Sequence, residues 1–166
     1  MLMIEKLKAF VMDVDGTLTD GGLYIGNNGE MLKRFHVKDG YAIKNILPSM
    51  GIIPIIITGR ESKIVLRRCE ELGISRIVQG SKNKVNDLKK ILSFEGIALD
   101  ETAYMGDDIN DLLCMKIVGV KGCPSDSARE IKQIADYITK QTGGNGAVRE
   151  FVEWIEQNSR REGNLC

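Results

Sequence analysis

Residues 8–17 read KAFVMDVDGT, an apolar run that leads into two acids, Asp13 and Asp15. A short apolar run of this kind predicts a buried β-strand. In an open α/β sheet, ligands bind outside the carboxyl ends of the strands. Asp13 and Asp15 therefore stand where a functional carboxylate is expected, although either acid alone could simply cap a turn.

Further short apolar runs follow along the chain. Residues 52–57 predict a second buried strand, in which Pro54 is unusual because it cannot donate a ladder hydrogen bond. Shorter strands are predicted at residues 77–78, 103–105, 117–120 and 137–138.

Helical patterns separate these strands. Apolar side chains recur at helical spacing within residues 43–50, 65–72, 85–92 and 147–155. Ser125 could cap another helix, whose apolar face would carry Ala128, Ile131 and Ala135. The alternation of strands and helices predicts an α/β fold with a Rossmann-like, doubly wound parallel sheet.

Residues 18–37 interrupt this alternation. Gly26-Asn27-Asn28-Gly29 separates two short runs within them. Asn and Gly tolerate positive φ, so we predict a β-hairpin inserted after the first strand. The length suits a single domain over residues 1–166, with a flexible polar tail over 156–166.

The composition argues against several classes of partner. The 23 basic residues equal the 23 acidic ones, so no overall positive charge would attract nucleic acid. No stretch reaches the roughly 18–20 apolar residues of a membrane span, and the first residues lack the long apolar region of a secretory signal. The cysteines form no CxxC pair, which predicts reduced thiols in a cytoplasmic protein rather than a zinc or redox motif.

Polar groups follow two more of the predicted strands. One strand ends in Thr58-Gly59-Arg60, and a later one ends in Gly106-Asp107-Asp108, followed by Asn110 and Asp111. Clustered carboxylates repel one another, and a hard divalent cation such as Mg²⁺ relieves that repulsion. Because His36 is the single histidine, a metal here would be bound by oxygen atoms. Taken one at a time, the acids could instead favour a helix N-terminus, and Thr58-Gly59 could be a simple turn.

Together these residues suit phosphoryl transfer. A carboxylate such as Asp13 can attack phosphorus and form an aspartyl-phosphate. Asp15 could protonate the leaving alcohol and later activate water. Asp13 and Asp107 are natural ligands of Mg²⁺, and Thr58, a lysine and Mg²⁺ would neutralise the oxygens of the transferred group.

The same residues resemble the haloacid dehalogenase superfamily of phosphatases. Residues 13–17 look like its first motif, Thr58-Gly59 like its second, Lys84 like its third and residues 106–111 like its fourth. This resemblance makes the order and spacing of the polar groups more informative than any one of them.

The resemblance implies a role for each motif residue. Asp13 would be the nucleophile and Asp15 the general acid and base, while Thr58 and Lys84 would bind phosphate. The implied Mg²⁺ ligands are Asp13, the backbone carbonyl of Asp15, and Asp107, with support from Asp108 and Asp111.

A narrower resemblance covers roughly residues 7–155. The similar segments are residues 24–30, 35–41, 57–60, 79–80 and 143–150, and they resemble the phosphatases of 3-deoxy-D-manno-octulosonate 8-phosphate (KDO 8-phosphate). That family lacks a cap domain, and the motif spacing here leaves no room for one. The family is homotetrameric, which implies that a neighbouring subunit's hairpin and glycine-rich tail help to enclose each site. The loop Gly143-Gly144-Asn145-Gly146 is accordingly predicted to be a subunit contact or a hinge.

The implied substrate is a sugar-acid phosphate, whose two anionic groups suit cationic side chains. The implied substrate contacts are Asp15, His36, Val37, Lys38, Asp39, Gly40, Lys44, Gly59, Arg60, Arg68 and Lys84. The chain departs from the family pattern at Thr17-Leu18-Thr19, at Lys44, where arginine is common, and at Glu61.

Three hypotheses follow. The leading one is Mg²⁺-dependent hydrolysis of KDO 8-phosphate to KDO and phosphate through an aspartyl-phosphate, a step in lipopolysaccharide precursor synthesis. The second is a phosphatase of a nine-carbon sugar acid 9-phosphate. Arg60 argues against it, because the resemblance implies a glutamate at this position in relatives with that activity. The third is a catalytically silent interaction subunit, against which the intact Asp13, Asp15, Lys84 and Asp107 argue.

Overall fold

The computed structural model describes residues 4–162, with side chains described up to residue 159. In chain order its strands are β1 (Ala9–Met12), β2 (Tyr24–Gly26), β3 (Gly29–Leu32), β4 (Ile53–Ile57), β5 (Arg76–Val78), β6 (Thr102–Met105), β7 (Val120–Cys123) and β8 (Tyr137–Ile138). Six of them form a parallel sheet in the order β5-β4-β1-β6-β7-β8. Strand β1 is therefore central, and its carboxyl end lies between those of β4 and β6.

The helices lie between these strands. In chain order they are α1 (Val37–Tyr41), α2 (Leu47–Ser49), α3 (Lys63–Leu72), α4 (Lys84–Glu95), α5 (Leu112–Met115), α6 (Arg129–Ile134) and α7 (Ala147–Glu162). A wider helical turn, Ala42–Ile46, joins α1 to α2. Ser62 caps the start of α3, and Gly73, with a φ of 73°, ends it. The predicted doubly wound α/β fold is confirmed.

Side chains of β1 alternate between two buried layers. Phe10 and Met12 face the layer that contains α7, where the Phe10 and Phe151 rings meet edge to face with centroids 5.6 Å apart. Val11 faces the other layer and packs with Leu88 of α4. Because both faces of the central strand are packed in this way, the position of its carboxyl end is well fixed.

Pro54 is tolerated because of its place in β4. The neighbouring Ile53 N–H donates to Lys8 O on the β1 side at 2.9 Å, so the Pro54 nitrogen faces β5. Pairing with β5 begins only at the next residue, Ile55, opposite Arg76. The ladder therefore needs no hydrogen-bond donor at Pro54, so the proline is tolerated at this end of the strand.

One strand prediction is wrong by a few residues. The strand predicted at 117–120 is β7, which begins only at Val120. Gly119 lies in a tight turn before it, where the Gly119 N–H donates to Leu99 O at 3.0 Å. A Cβ on Gly119 would lie 2.2 Å from Asp100 O, so this approach to the neighbouring turn requires glycine.

Two helix boundaries also differ from the prediction. The helix predicted to begin at Ser125 is α6, which begins only at Arg129, with Ala128 at its N-cap position. The Ser125 N–H donates to Gln141 O at 3.0 Å in the turn before it. The tail predicted over 156–166 starts too early, since α7 continues to Glu162. Residues 163–166 lie outside the described part. Between residues 4 and 162 no helix has the length and apolar character to cross a membrane.

The insertion after β1 contains the predicted hairpin. Strands β2 and β3 pair antiparallel, with Gly26 opposite Gly29 at the turn. Gly29 has a φ of 105°, a conformation that favours glycine. The apolar side chains of Ile25 and Met31 are 63% and 67% exposed, so the hairpin presents an apolar surface outside the two packed layers.

Candidate active site

The Asp13 loop, residues 13–20, turns sharply after β1 and touches the segment that follows β6. Gly16 has a φ of 92°, and a Cβ on it would lie 2.0 Å from Asp107 Oδ2. Thr17 Oγ1 donates to Asp107 Oδ1 at 3.0 Å. Glycine at position 16 therefore lets the loop and Asp107 approach each other, as the predicted strand ends imply.

Three carboxylates meet at this edge of the sheet. Asp13, Asp107 and Asp111 offer oxygen atoms that all lie within 4.8 Å of one another. Asp111 is fully buried; its Oδ1 accepts from the Tyr104 hydroxyl at 2.8 Å, and its Oδ2 accepts from the Asp107 N–H at 3.2 Å. Asp108 is exposed and caps the following turn through a backbone N–H at 2.8 Å. Of the two predicted supporting acids, Asp111 thus belongs to the cluster and Asp108 caps a turn.

Lys84, in the first turn of α4, brings a positive charge into this cluster. Its Nζ lies 2.9 Å from Asp13 Oδ1 and 2.8 Å from Asp111 Oδ1, and its side chain is 4% exposed. Burial lowers the pKa of Lys84, but the two carboxylates more than offset this and raise the pKa above its usual range. Asp13, Lys84, Asp107 and Asp111 are called the sheet-edge cluster below.

The carboxylates of this cluster outnumber its ammonium group. Burial, together with the charge of Asp111, raises the pKa of Asp13 to about 6, although Lys84 opposes the shift. Burial and the charges of Asp13 and Asp111 raise the pKa of Asp107 to about 7. The excess of negative charge and the hard oxygen donors fit a divalent cation such as Mg²⁺, which would stabilise the ionised carboxylates.

The sheet-edge cluster opens into a cleft between the strand ends. Thr58 follows β4 and is held there by its N–H, which donates to Val78 O at 2.9 Å. The residues that line the cleft are Asp13, Asp15, Thr58, Gly59, Arg60, Asp107, Asp108 and Asn110. The structure therefore brings together the polar groups predicted from the strand ends, and Lys84 contacts one of them, Asp13.

A second charged group lies on the hairpin side of the cleft. Lys33 follows β3; its side chain is 1% exposed and contacts the Asp15 carboxylate and, at 2.9 Å, Glu30 Oε1. Glu30 accepts a hydrogen bond from the Ser62 hydroxyl at the start of α3. Arg60 Nε lies 3.9 Å from Asp15 Oδ2. Asp15, Lys33 and Glu30 are called the hairpin cluster below.

Sequence reasoning missed Lys33 and Glu30. The one signal in the sequence is a pair of opposite charges three positions apart, which is common on exposed surfaces and indicates no particular chemistry. Their contact with Asp15 depends on how the hairpin folds back over the Asp13 loop.

Several predicted sugar contacts lie on other surfaces of the chain. His36, Gly40 and Arg68 line a separate small cavity beside Phe35. Val37 and Lys38 are exposed. Lys44 Nζ donates to Glu71 O at 3.0 Å, near the end of α3. Their roles toward a substrate stay predictions.

Asp39, another predicted contact, has a structural role in this chain. Its side chain is buried, and its two oxygens accept from the Arg149 N–H at 2.7 Å and the Gly146 N–H at 3.2 Å. Burial raises the pKa of Asp39, although these hydrogen bonds oppose the shift. The carboxylate thus caps the start of α7.

The glycine-rich loop at residues 143–146 packs against the Asp13 loop of its own chain. The Gly144 N–H donates to Thr17 O at 3.1 Å, and a Cβ on Gly143 would lie 1.9 Å from Gly16 O. This contact corrects the expectation of a hinge, because the loop is fixed against the site by backbone contacts that need glycine.

Known proteins that are similar to this chain in sequence and fold include phosphatases. The sequence pattern of the haloacid dehalogenase-like hydrolases matches residues 70–151. A KDO 8-phosphate phosphatase, KdsC, of Escherichia coli (strain B / BL21-DE3) is 44% identical over 155 residues, which are 93% of this chain and 82% of the relative. The chain belongs to the family of KDO 8-phosphate phosphatases.

Solved structures of KDO 8-phosphate phosphatases share the fold. The enzyme of Moraxella catarrhalis, in complex with a magnesium ion, a phosphate ion and a KDO molecule, is 42% identical, with a TM-score of 0.88 over 93% of this chain and 88% of that one. The cobalt-bound enzyme of Haemophilus influenzae is 34% identical, with a TM-score of 0.91 over 98% and 94%. Both the predicted superfamily and the narrower family of KDO 8-phosphate phosphatases are confirmed.

Proposed function

We propose that this chain is a Mg²⁺-dependent phosphatase that hydrolyses KDO 8-phosphate to KDO and inorganic phosphate. The observation that carries the proposal is the sheet-edge cluster, in which Asp13 and Asp107 lie close together and line an open cleft while Lys84 contacts Asp13. Relatives with the same fold bear the name of this activity, and one of them was solved with magnesium, phosphate and KDO.

The reaction would proceed in two steps. In the first, an Asp13 oxygen bonds to phosphorus while the bond from phosphorus to the sugar oxygen breaks, and Asp15 gives its proton to the departing oxygen. In the second, water attacks the aspartyl-phosphate, Asp15 takes a proton from that water, and the Asp13 carboxylate is restored as phosphate leaves. Lys84 and Thr58 would stabilise the charge on the transferred oxygens.

The metal would be held at the sheet-edge cluster. Asp13, the backbone carbonyl of Asp15 and Asp107 would be the ligands, and Asp111 would hold Asp107 in place through its backbone N–H. When bound, Mg²⁺ supplies positive charge to the phosphoryl oxygens. Asp108 would support the loop that carries Asp107, since it caps the turn that follows.

The sugar acid would be bound partly by the hairpin side and partly by a neighbouring copy. Gly59 and Arg60 line the cleft itself. His36, Val37, Lys38, Lys44 and Arg68 lie outside this cleft, and they would reach a sugar bound in the cleft of another subunit. Asp39 and Gly40 are buried and would position that surface instead. The exposed apolar side chains of Ile25 and Met31 support burial of the hairpin in such a homotetramer.

The setting would be lipopolysaccharide precursor synthesis in the cytoplasm, carried out by a single domain over residues 1–166. A phosphate-release assay over a panel of sugar phosphates, with and without Mg²⁺, tests the substrate. We expect Mg²⁺-dependent release with a strong preference for KDO 8-phosphate, and loss of release in Asp13→Asn. Equal turnover of many esters would contradict the proposed preference for KDO 8-phosphate. Preference for a nine-carbon sugar acid 9-phosphate would favour the second hypothesis, and inactivity toward every ester would favour an interaction subunit.

A further inference from the structure

Lys33 is a cation that the fold removes from water. Its side chain is 1% exposed, and lysine is rarely buried to that extent unless its charge is paired. Burial lowers the pKa of Lys33, but hydrogen bonds to Asp15 and Glu30 more than offset this and raise the pKa above its usual range. Lys33 is therefore a buried ammonium that donates to two carboxylates.

The contacts of Lys33 connect three segments of the chain. Glu30 belongs to the same hairpin and accepts from Lys33 at 2.9 Å. Glu30 also accepts from the Ser62 hydroxyl, which ties the hairpin to the start of α3. Through Asp15, Lys33 also contacts the Asp13 loop. Glu30, which is itself tied to the start of α3, therefore holds the ammonium group in place. The ammonium group in turn contacts the Asp15 carboxylate directly.

The two oxygens of the Asp15 carboxylate have different surroundings. Oδ1 contacts the buried Lys33. Oδ2 faces Arg60, whose Nε is 3.9 Å away and whose side chain is 46% exposed. Asp15 also lines the cleft beside Asp13. Oδ2 is therefore the oxygen that is left for a group entering the cleft.

We propose that Lys33 is a positioning residue that holds Asp15 Oδ1, so that Asp15 Oδ2 is aimed at the leaving oxygen of the substrate. The inference rests on the proposed function, in which Asp15 is the general acid and base. As Asp13 bonds to phosphorus and the ester bond breaks, the proton on Oδ2 moves to the departing sugar oxygen. Glu30 keeps Lys33 in place by its own pairing.

This arrangement matters most for esters with a poor leaving group. A sugar alkoxide needs a proton as it leaves, whereas p-nitrophenolate is stable enough to leave without one. Loss of Lys33 should therefore slow the first step for a sugar phosphate and leave it nearly unchanged for p-nitrophenyl phosphate. A general loss of structure would slow both reactions alike.

The test compares Lys33→Met with the wild-type protein on both esters in the presence of Mg²⁺. The readout is kcat/KM, because it reports on the steps up to phosphoryl transfer. We expect kcat/KM to fall about 10- to 100-fold for KDO 8-phosphate and by less than about threefold for p-nitrophenyl phosphate. Lys121→Met is the matched control: Lys121 also forms an ion pair, with Asp136 at 3.0 Å on the β7–β8 side of the sheet, and both values should be unchanged.

Two further variants keep the inference testable. Glu30→Gln should show the same selective loss to a smaller degree. If a thermal unfolding experiment shows that Lys33→Met is not folded, Glu30→Gln provides the test. On an Asp15→Asn background, Lys33→Met should add no further selective loss, because the two act through one carboxylate.

Equal losses on both esters, or a full additional loss on the Asp15→Asn background, would overturn the role of Lys33. A wild-type protein without phosphatase activity would instead overturn the proposed function itself.

Discussion

The sheet-edge cluster and the hairpin cluster share one cleft, and each is centred on a buried lysine that pairs with two carboxylates. The Lys84 side chain is 4% exposed and the Lys33 side chain 1% exposed. The sheet-edge cluster is built from strand ends and the start of α4, whereas the hairpin cluster joins an insertion to the Asp13 loop. In the proposed mechanism, the sheet-edge cluster neutralises charge on the transferred group, whereas the hairpin cluster orients Asp15. Variants of the two clusters should therefore fail in different ways.

The largest effect is expected from Asp13→Asn in the sheet-edge cluster. An amide cannot act as the nucleophile, so kcat should fall by more than about 10⁴-fold for sugar and aryl phosphates alike. Substrate-independent loss is what distinguishes this cluster from the hairpin cluster. Steady-state phosphate release checks it, with circular dichroism as the control for folding. Residual activity within tenfold of wild type would break the assignment.

Removal of the metal should come next in size. Without a cation the carboxylates of the sheet-edge cluster repel one another, and the phosphoryl oxygens lack the positive charge that Mg²⁺ supplies. We expect EDTA treatment to lower kcat by at least about 100-fold on both esters, and added Mg²⁺ to restore it. The thermal unfolding midpoint should also rise when Mg²⁺ is added back, because ligands stabilise the state that binds them. Full activity in EDTA would contradict a metal at this cluster.

Lys84→Met sharpens the comparison most directly, because it is the counterpart of Lys33→Met. Without the Lys84 ammonium group, the charge on the transferred phosphoryl group is less well stabilised. We therefore expect kcat/KM to fall about 100-fold for sugar and aryl phosphates equally. The variant also leaves Asp13 and Asp111 without their ammonium partner. In Mg²⁺-free buffer it should therefore lose about 3 kcal/mol of unfolding free energy in a urea titration. If Lys84→Met spared the aryl ester as Lys33→Met is expected to, the two lysines would share one role.

Two glycines with positive φ give the smallest and most local contrast. Gly16→Ala would place a Cβ 2.0 Å from Asp107 Oδ2, so it should displace a carboxylate of the sheet-edge cluster and lower activity about tenfold. Gly96 ends α4 with a φ of 68° and has open space around a built Cβ. Gly96→Ala should cost about 1 kcal/mol of stability and leave kcat unchanged. Equal activities of the two variants would show that the contact at Gly16 is unimportant.

Strand topology predicts part of the sheet-edge cluster from the sequence. Once β1, β4 and β6 are recognised as parallel strands, Asp13, Thr58 and Asp107 must meet at one edge, whereas Lys84 is expected there only from the resemblance to the superfamily. The start of β7 is harder to predict, because apolar side chains give the bounds of a strand only approximately. The turn at Gly119 depends on a close backbone contact with Asp100, which is distant in sequence and leaves no local pattern.

The hairpin cluster shows what local patterns leave open. Gly26 and Gly29 predict the hairpin turn, but the direction in which the hairpin folds over the Asp13 loop depends on tertiary contacts such as those of Lys33 and Glu30. The glycine-rich loop at 143–146 is a similar case. Its composition suggests flexibility, yet its glycines are needed for close packing against Gly16 and Thr17.

The central claim is that Asp13 becomes phosphorylated during turnover. The most direct measurement is mass spectrometry of the protein after rapid acid quenching of a reaction with KDO 8-phosphate and Mg²⁺. The account predicts a phosphoryl group on the peptide that contains Asp13, removable by borohydride reduction to homoserine at that position, and its absence in Asp13→Asn. A phosphoryl group on another residue, or full turnover by Asp13→Asn, would contradict it.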